Sequence, residues 1–233
     1  MINLSIVIPC FNESESLQAL VKNFSKKLNR KDVELILVNN GSNDSSNSKL
    51  LNLKKNYSFL KTIKLKRNIG YGNGILQGLK KAKGNFIAWT HADLQTDPYD
   101  AIIGFQKYKK ELSPKTFIKG SRLKRPLKDI FFTIGMSIFE SILLKKFLWD
   151  INAQPNIIHK NFFNTLNKIP LDFSFDLFFY YNAKKRKLKI FRFPVKYPKR
   201  KFGLSHWNTD FKNKMKFIKR TIKYSFQLKK SYK

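Results

Sequence analysis

The chain has little acid, almost no cysteine and no long apolar run. Its 233 residues hold 15 Asp and Glu against 47 Lys and Arg, a formal net charge of +32. The single cysteine, Cys10, excludes a disulfide scaffold and a multi-cysteine zinc finger. No stretch reaches the ~18 consecutive apolar residues of an ordinary spanning helix. The longest uncharged apolar run, Ile130 to Phe139, stops at Glu140. The opening, MINLSIVIPCFNES, lacks the basic start and the apolar length of a secretory signal. No internal repeat and no low-complexity linker interrupts the chain. What is present is a core: 42% of the residues are hydrophobic, which excludes a disordered basic tail.

The charge is uneven. Residues 116–233 carry 28 of the basic groups and 6 of the acidic ones. Such a field attracts polyanions, whether nucleic acid, anionic lipid headgroups or phosphorylated substrates. A Lys- and Asn-rich composition produces the same excess without any partner, so charge alone does not choose. No stripe of base-stacking aromatics and no nucleic-acid motif accompanies it, which makes nucleic acid the least favoured partner.

The first 120 residues alternate strand and helix signals. Leu4 to Ile8, Val33 to Val38, Phe59 to Leu65, Phe86 to Trp89 and Thr116 to Ile118 read as strands. Between them, Ser14 opens a helix with Leu17, Leu20, Val21, Phe24 and Leu28 at helical spacing. Leu50 and Leu53 mark a second helix, Gly74 to Ala82 a third, and Pro98 opens a fourth. This alternation predicts a doubly wound, mostly parallel, Rossmann-like α/β sheet flanked by helices. In such sheets ligands sit at the carboxyl ends of the strands. Glu13 falls after the first strand, Asn40 and Asp44 after the second, and His91, Asp93 and Gln95 after the fourth. Strand ends carry polar turns in any case, and Asp44 also suits a helix cap. Gly70-Tyr71-Gly72-Asn73-Gly74 lacks dinucleotide-loop spacing and reads as a helix entry with close packing.

Two later segments differ. Residues 130–149 read as a helix on which Thr133, Ser137, Glu140, Ser141 and Lys145 form a narrow polar strip. Such a helix is either buried or lies in a membrane interface. From Phe211 to Lys233 there is no acid, and Phe211, Met215, Ile218, Ile222 and Phe226 recur at helical spacing among lysines. This basic amphipathic C-terminal helix suits an anionic membrane surface, and equally a docked terminal helix with a solvated face.

Four motifs follow one another in fixed order: Ile6-Val7-Ile8-Pro9-Cys10-Phe11-Asn12-Glu13, then Leu35 through Ser45, then Arg67-Asn68-Ile69-Gly70 with Gly74 and Gly78, then Trp89 through Pro98. Together they resemble the family 2 inverting glycosyltransferases with the GT-A fold. His91 to Gln95, Gly120-Ser121-Arg122 and Arg200 to His206 look most like the branch of dolichyl- and polyprenyl-phosphate sugar synthases. The resemblance covers roughly residues 3–207.

The resemblance implies roles residue by residue. Pro9, Phe11, Glu13, Val38, Asn40, Asp44, His91 and Ala92, with Arg122, Arg200 and His206, match positions that bind the nucleotide sugar. Asp93, Arg122 and Arg200 match catalytic positions, and Asp176 joins them as the candidate base. His91, Asp93 and Gln95 stand where the family holds Mn2+ or Mg2+, and His91 replaces the first Asp of the usual Asp-x-Asp. Asn39-Asn40 replaces the usual acidic pair, which leaves the base open. A leaving diphosphate needs neutralising charge, and arginine supplies it through a planar fork. A lipid-phosphate acceptor is already ionised. A sugar hydroxyl must lose a proton, to Asp176 or, as a second choice, Asp150.

The sequence therefore predicts a glycosyltransferase domain over residues 1–210, including the apolar segment 130–149, and a basic extension over 211–233. The expected reaction moves a sugar from a nucleotide-diphosphate sugar to a polyprenyl phosphate, on the inner face of the cytoplasmic membrane. Two alternatives stand beside it: a saccharide hydroxyl as acceptor, and a non-catalytic basic binding protein on the same fold.

Overall fold

A computed structural model describes residues 1–123, 125, 127–198 and 211–231. The first half alternates as the pattern predicts: β1 (Leu4–Cys10), α1 (Ser14–Lys27), β2 (Val33–Asn39), α2 (Ser46–Asn56), β3 (Leu60–Lys64), α3 (Tyr71–Lys81), β4 (Phe86–Trp89) and α4 (Asp100–Lys107). The second half runs β5 (Thr116–Leu123), α5 (Leu127–Leu144), β6 (Asn156–His159), α6 (Lys160–Asn164), α7 (Phe175–Lys185), β7 (Lys189–Lys196) and α8 (Phe211–Lys230).

The strands form one seven-stranded sheet in the order β3-β2-β1-β4-β6-β5-β7. β1 pairs in parallel with β2 and β4, and β2 with β3. β6 runs antiparallel to both β4 and β5, while β5 and β7 are parallel. The sheet is thus mostly parallel, with one reversed strand where the two halves meet.

Both faces of the sheet are covered, which is why β1 and β2 are continuous apolar runs rather than alternating ones. Ile6, Ile8, Leu35 and Leu37 pack on one face with Leu17, Leu20, Val21 and Phe24 of α1. Val7, Ile36 and Val38 pack on the other with Ile75 and Leu79 of α3 and the aromatic side chains of α7. Gly70 opens α3 at φ 137°, and a Cβ there would meet the Leu171 carbonyl at 2.2 Å. Gly70 and Gly72 thus serve helix entry and close approach to the 170–172 loop, while Gly74 packs against Pro9 and Asn40.

Two boundaries and one face differ from the sequence reading. α5 starts at Leu127 and stops at Leu144, because Lys145 turns into the left-handed region at φ 51°. Lys145 and Trp149 therefore lie beyond the helix. α5 is also turned inside out: Ser137 and Glu140 are buried, while Phe131, Ile138 and Ile142 are exposed by 73%, 54% and 74%. The C-terminal segment is helical, with α8 packed along α5 and the Phe139 and Phe226 rings 6.5 Å apart. Among the described residues no helix is long and apolar enough to cross a membrane.

Candidate active site

The parallel strands deliver their loops to one edge, where those after β1 and β2 are stitched together. Ser42 Oγ accepts from the Asn12 amide at 3.0 Å, and Ser46 Oγ from the Glu13 amide at 3.1 Å. Asn12 Oδ1 accepts from the Asn43 amide at 3.1 Å. Asp44 spans both helix starts, accepting from Ser14 N at 3.2 Å and Ser46 N at 2.9 Å. Its carboxylate thus meets two helix N-termini, where negative charge is favoured. Three non-glycine backbones at this end of the sheet lie in the left-handed region: Asn12 at φ 55°, Leu94 at 58° and Asp150 at 47°. Asn adopts it readily, whereas Leu and Asp hold it against a cost of about 1 kcal/mol or more each.

The expected nucleotide-side residues fall in two sets. Pro9, Phe11 and Glu13 lie partly exposed at the end of β1. Asn40 is buried there too, with Nδ2 donating to Asn68 Oδ1 at 3.2 Å and Gly70 O at 3.0 Å. Its Oδ1 is buried with no hydrogen-bond partner among the described residues. Val38 and Ala92, in contrast, bury their side chains in the two core clusters, so only their backbones face the edge.

The loop after β4 joins through Tyr71. Its ring stacks 5.7 Å from His91 on one side and 5.1 Å from Phe173 on the other. Gln95 turns to a different partner: Oε1 accepts from the Tyr197 hydroxyl at 3.1 Å, and Nε2 donates to Pro198 O at 3.2 Å. Asp93 Oδ1 accepts from the Gln95 amide at 3.1 Å. Of the three expected metal ligands, His91 is stacked on Tyr71, the Gln95 amide is engaged, and Asp93 is the one carboxylate. Among the described residues, no three His, Cys, Asp or Glu side chains gather as a metal cluster.

Arg122 and Asp176 meet at a cavity of about 130 Å3, together with His91 and Tyr71. Asp176 lies at the start of α7, and its Oδ1 accepts from Trp89 Nε1 at 2.7 Å, Gln154 Nε2 at 2.9 Å and Asn156 Nδ2 at 3.1 Å. Burial pushes its carboxyl upward, against the pull of the Lys119 charge and those donors. Arg122 donates from Nε to Asp150 Oδ1 at 2.9 Å and also from Nη2. Asp150, the second-choice base, is spent on this pair. Arg125 and Arg192 approach it at 3.8 and 3.9 Å, so three guanidinium groups share one carboxylate. Burial acts to raise the Asp150 carboxyl, but the Arg122 charge and hydrogen bonds together with the Lys119 charge outweigh it, so the net shift is downward. The Tyr197 ring underlies Arg122 and Arg125 at 5.4 and 5.9 Å.

The sequence reading missed Arg125 and Glu140. Arg125 lines the cavity, donates to Thr133 Oγ1 at 2.7 Å, and buries an Nε that has no hydrogen-bond partner among the described residues. Its proximity in sequence to Arg122 was the available signal. Glu140 lines the same cavity from α5, together with Thr133, Ser137 and Thr221. Ser225 Oγ donates to Glu140 Oε1 at 2.6 Å or to the Thr221 carbonyl at 2.8 Å, with one proton for the two. Burial pushes the Glu140 carboxyl to about 7. In its protonated form Glu140 can donate to Ser225 while the serine donates to the carbonyl. Arg200 and His206 lie outside the described residues, so the constellation described is that of Glu13, Asn40, His91, Asp93, Arg122 and Asp176.

A mostly parallel sheet with helices on both faces, and with its charged and amide side chains gathered at the strand ends, is the GT-A glycosyltransferase architecture. The family model for Glycosyl transferase family 2 matches residues 5–222, and the chain belongs to this family. Solved structures agree on the fold. The chain superposes on glucosyl-3-phosphoglycerate synthase from Mycobacterium tuberculosis, crystallised with Mn2+, UDP and glucosyl-3-phosphoglycerate, with a TM-score of 0.72 at 11% identity over 97% of this chain and 79% of that one. The mannosyltransferase PcManGT from Pyrobaculum calidifontis, in complex with GDP-Man and Mn2+, gives 0.64 at 17% identity over 85% and 58%. In sequence, the chain is 38% identical over 98 residues to the undecaprenyl-phosphate 4-deoxy-4-formamido-L-arabinose transferase of Enterobacter sp. (strain 638), and 39% over 99 residues to that of Yersinia enterocolitica. Each match covers 41% of this chain and 30% of the relative.

Proposed function

We propose that this enzyme moves a sugar, with inversion, from a nucleotide-diphosphate sugar to a polyprenyl phosphate at a membrane surface. The observation that carries the reading is the cavity beside Asp176. Arg122 and Arg125 form one flank, and Phe132, Met136, Ile151 and Leu177 give it apolar walls. Phe131, Ile138 and Ile142 then continue the apolar surface of α5 outward. A ligand that suits both parts has an anionic head and a hydrocarbon tail. The names of the sequence relatives, undecaprenyl-phosphate transferases, point the same way.

In this reading the donor nucleotide lies across Pro9, Phe11, Glu13 and Asn40, against the joined loops after β1 and β2. The buried Asn40 Oδ1 offers an acceptor to a base N–H, while its amide N–H groups are already used. The family positions imply that Asp44 and the backbones of Val38 and Ala92 complete that pocket. A divalent cation, Mn2+ or Mg2+, fits a donor set of one protein carboxylate plus substrate phosphates. Asp93 would hold it, and the cation would neutralise the leaving diphosphate. Arg122 and Arg125 orient the acceptor phosphate, whose oxygen attacks the anomeric carbon as the nucleoside diphosphate departs. Arg200 and His206 are assigned to the phosphates by their family positions alone. A phosphate oxygen is already ionised, so Asp176 holds the cavity floor and need not take a proton.

The enzyme rests on the inner face of the cytoplasmic membrane in this reading. The outward stripe Phe131, Ile138 and Ile142, with Phe147 and Trp149, enters the interface. Exposed Lys216, Lys219, Arg220 and Lys223 of α8 meet anionic headgroups.

The test is transfer from labelled nucleotide sugars to polyprenyl phosphate in anionic vesicles, set against saccharide acceptors, with wild type and Asp176→Asn. Transfer to the lipid with a modest loss in the variant supports the reading. Transfer only to a saccharide, with a loss of about 10²–10⁴-fold in the variant, assigns Asp176 as a general base and overturns it.

A further inference from the structure

Lys119 sits in the middle of β5 with no exposed surface. A lysine there is costly unless every N–H of its ammonium finds an acceptor. Each does: Nζ donates to Ile151 O at 2.6 Å, Ala153 O at 2.7 Å and Asn156 Oδ1 at 2.9 Å. The Tyr180 ring lies 5.5 Å away as a further contact. All three acceptors belong to one stretch of chain, residues 151–156. Two are main-chain carbonyls, which an apolar side chain at position 119 would leave without this donor.

That stretch organises the acceptor half of the site. Just before it, Asp150 holds Arg122 and draws in Arg125. Within it, Ile151 and Asn152 line the cavity. At its far end, Asn156 Nδ2 donates to Asp176 Oδ1 and to Gln154 Oε1, both at 3.1 Å. Gln154 Nε2 then donates to Asp176 Oδ1 at 2.9 Å and to the Tyr71 hydroxyl at 3.2 Å. Lys119 is absent from the cavity wall, yet the groups that face the cavity from Asp150 to Asp176 depend on the segment it grips.

We propose that Lys119 is a positioning residue for the acceptor: its ammonium clamps residues 151–156, so that Arg122, Arg125 and Asp176 face one cavity together. The proposal rests on reading that cavity as the acceptor subsite. The donor subsite, built on β1 and β2, makes no hydrogen bond to this network among those described.

The experiment compares wild type, Lys119→Met and Asn156→Leu as full chains. Lys119→Met keeps length and volume but removes the three donors. Asn156→Leu cuts the link to Asp176 and leaves both carbonyl bonds in place. Two readouts are taken. In steady-state transfer to polyprenyl phosphate, both variants raise the acceptor KM or lower kcat by about tenfold to a hundredfold. Donor KM stays within about twofold, because a misplaced acceptor loop leaves the donor subsite alone. A parallel rise in donor and acceptor KM, or no change in both acceptor KM and kcat, overturns the proposal. The second readout needs no activity. The Trp89 indole N–H, which donates to Asp176 at 2.7 Å, is followed by NMR and assigned with Trp89→Phe. In both variants its resonance moves toward the position it takes in Asp176→Ala. An unmoved resonance overturns the proposal. If Lys119→Met does not fold, Asn156→Leu decides by the same two criteria. If wild type makes no lipid-linked product, the proposed function fails, and the Trp89 resonance still judges the clamp.

Discussion

Helices α1 and α5 each carry an apolar strip and a polar one, and they point them in opposite directions. α1 buries Leu17, Leu20, Val21 and Phe24 against the sheet and leaves Lys22, Lys26 and Lys27 in water. α5 buries Ser137 and Glu140 beside the cavity and leaves Phe131, Ile138 and Ile142 outside. The first arrangement stabilises the fold by removing apolar area from water. The second leaves that area exposed, where it contributes no such stabilisation and, in the proposed reading, meets a membrane. In the proposed reading, the parallel half of the molecule serves stability and the donor, and the half around α5 serves the acceptor and a surface.

The contrast can be broken experimentally, beginning with the largest expected effect. Asp150→Ala leaves Arg122, Arg125 and Arg192 crowded without their shared carboxylate. Unfolding by urea should show a loss of about 3–5 kcal/mol, the range for a broken buried ion pair. Leu20→Ala in α1 opens a cavity beneath the sheet and should cost about 2–5 kcal/mol in the same assay.

Glu140 should give stability a pH dependence of unusual sign for an acid. Its folded-state pKa of about 7 lies above the ordinary value of 4.5, so between those values the native state holds a proton that the unfolded chain has lost. Stability therefore falls as pH rises from 4.5 to about 7 and is flat above. Glu140→Gln should remove that slope. At pH 8 it should be more stable than wild type by roughly 2–3 kcal/mol, measured by denaturant titration across the pH range. A slope unchanged in the variant would place the titration elsewhere.

Ile142→Ser should do least to the fold. With its side chain already in water, it should change stability by no more than about 0.5 kcal/mol. Combined with Phe131→Ser, it should still release the protein from anionic vesicles in a flotation assay. A large stability loss in this pair would show that the stripe is covered in solution.

Much of the donor half was legible in the sequence because its signals are local. Continuous apolar runs mark strands covered on both faces, and helical spacing between them marks crossovers. The chain direction then places Glu13, Asn40 and Asp93 at one edge. The acceptor half was less legible. Asp176 and Asp150 appear in the sequence as two similar acids, yet one is gripped by three N–H donors and the other by arginine. Lys119 reads as one lysine among many, and its burial follows only from the pairing of β5 with the antiparallel β6.

The sequence by itself determined the alternation of elements, the family, and which strand ends carry the polar and charged groups. These follow from side-chain periodicity and from short motifs read along the chain. Tertiary structure alone decided that α5 turns its polar strip inward, that Arg125 and Glu140 line the cavity beside Asp176, and that Lys119 is buried against residues 151–156. The physical reason is that a periodic pattern defines two faces of a helix or strand but not their direction. Which face is buried, and which charge finds a partner, depends on contacts between residues far apart in the chain.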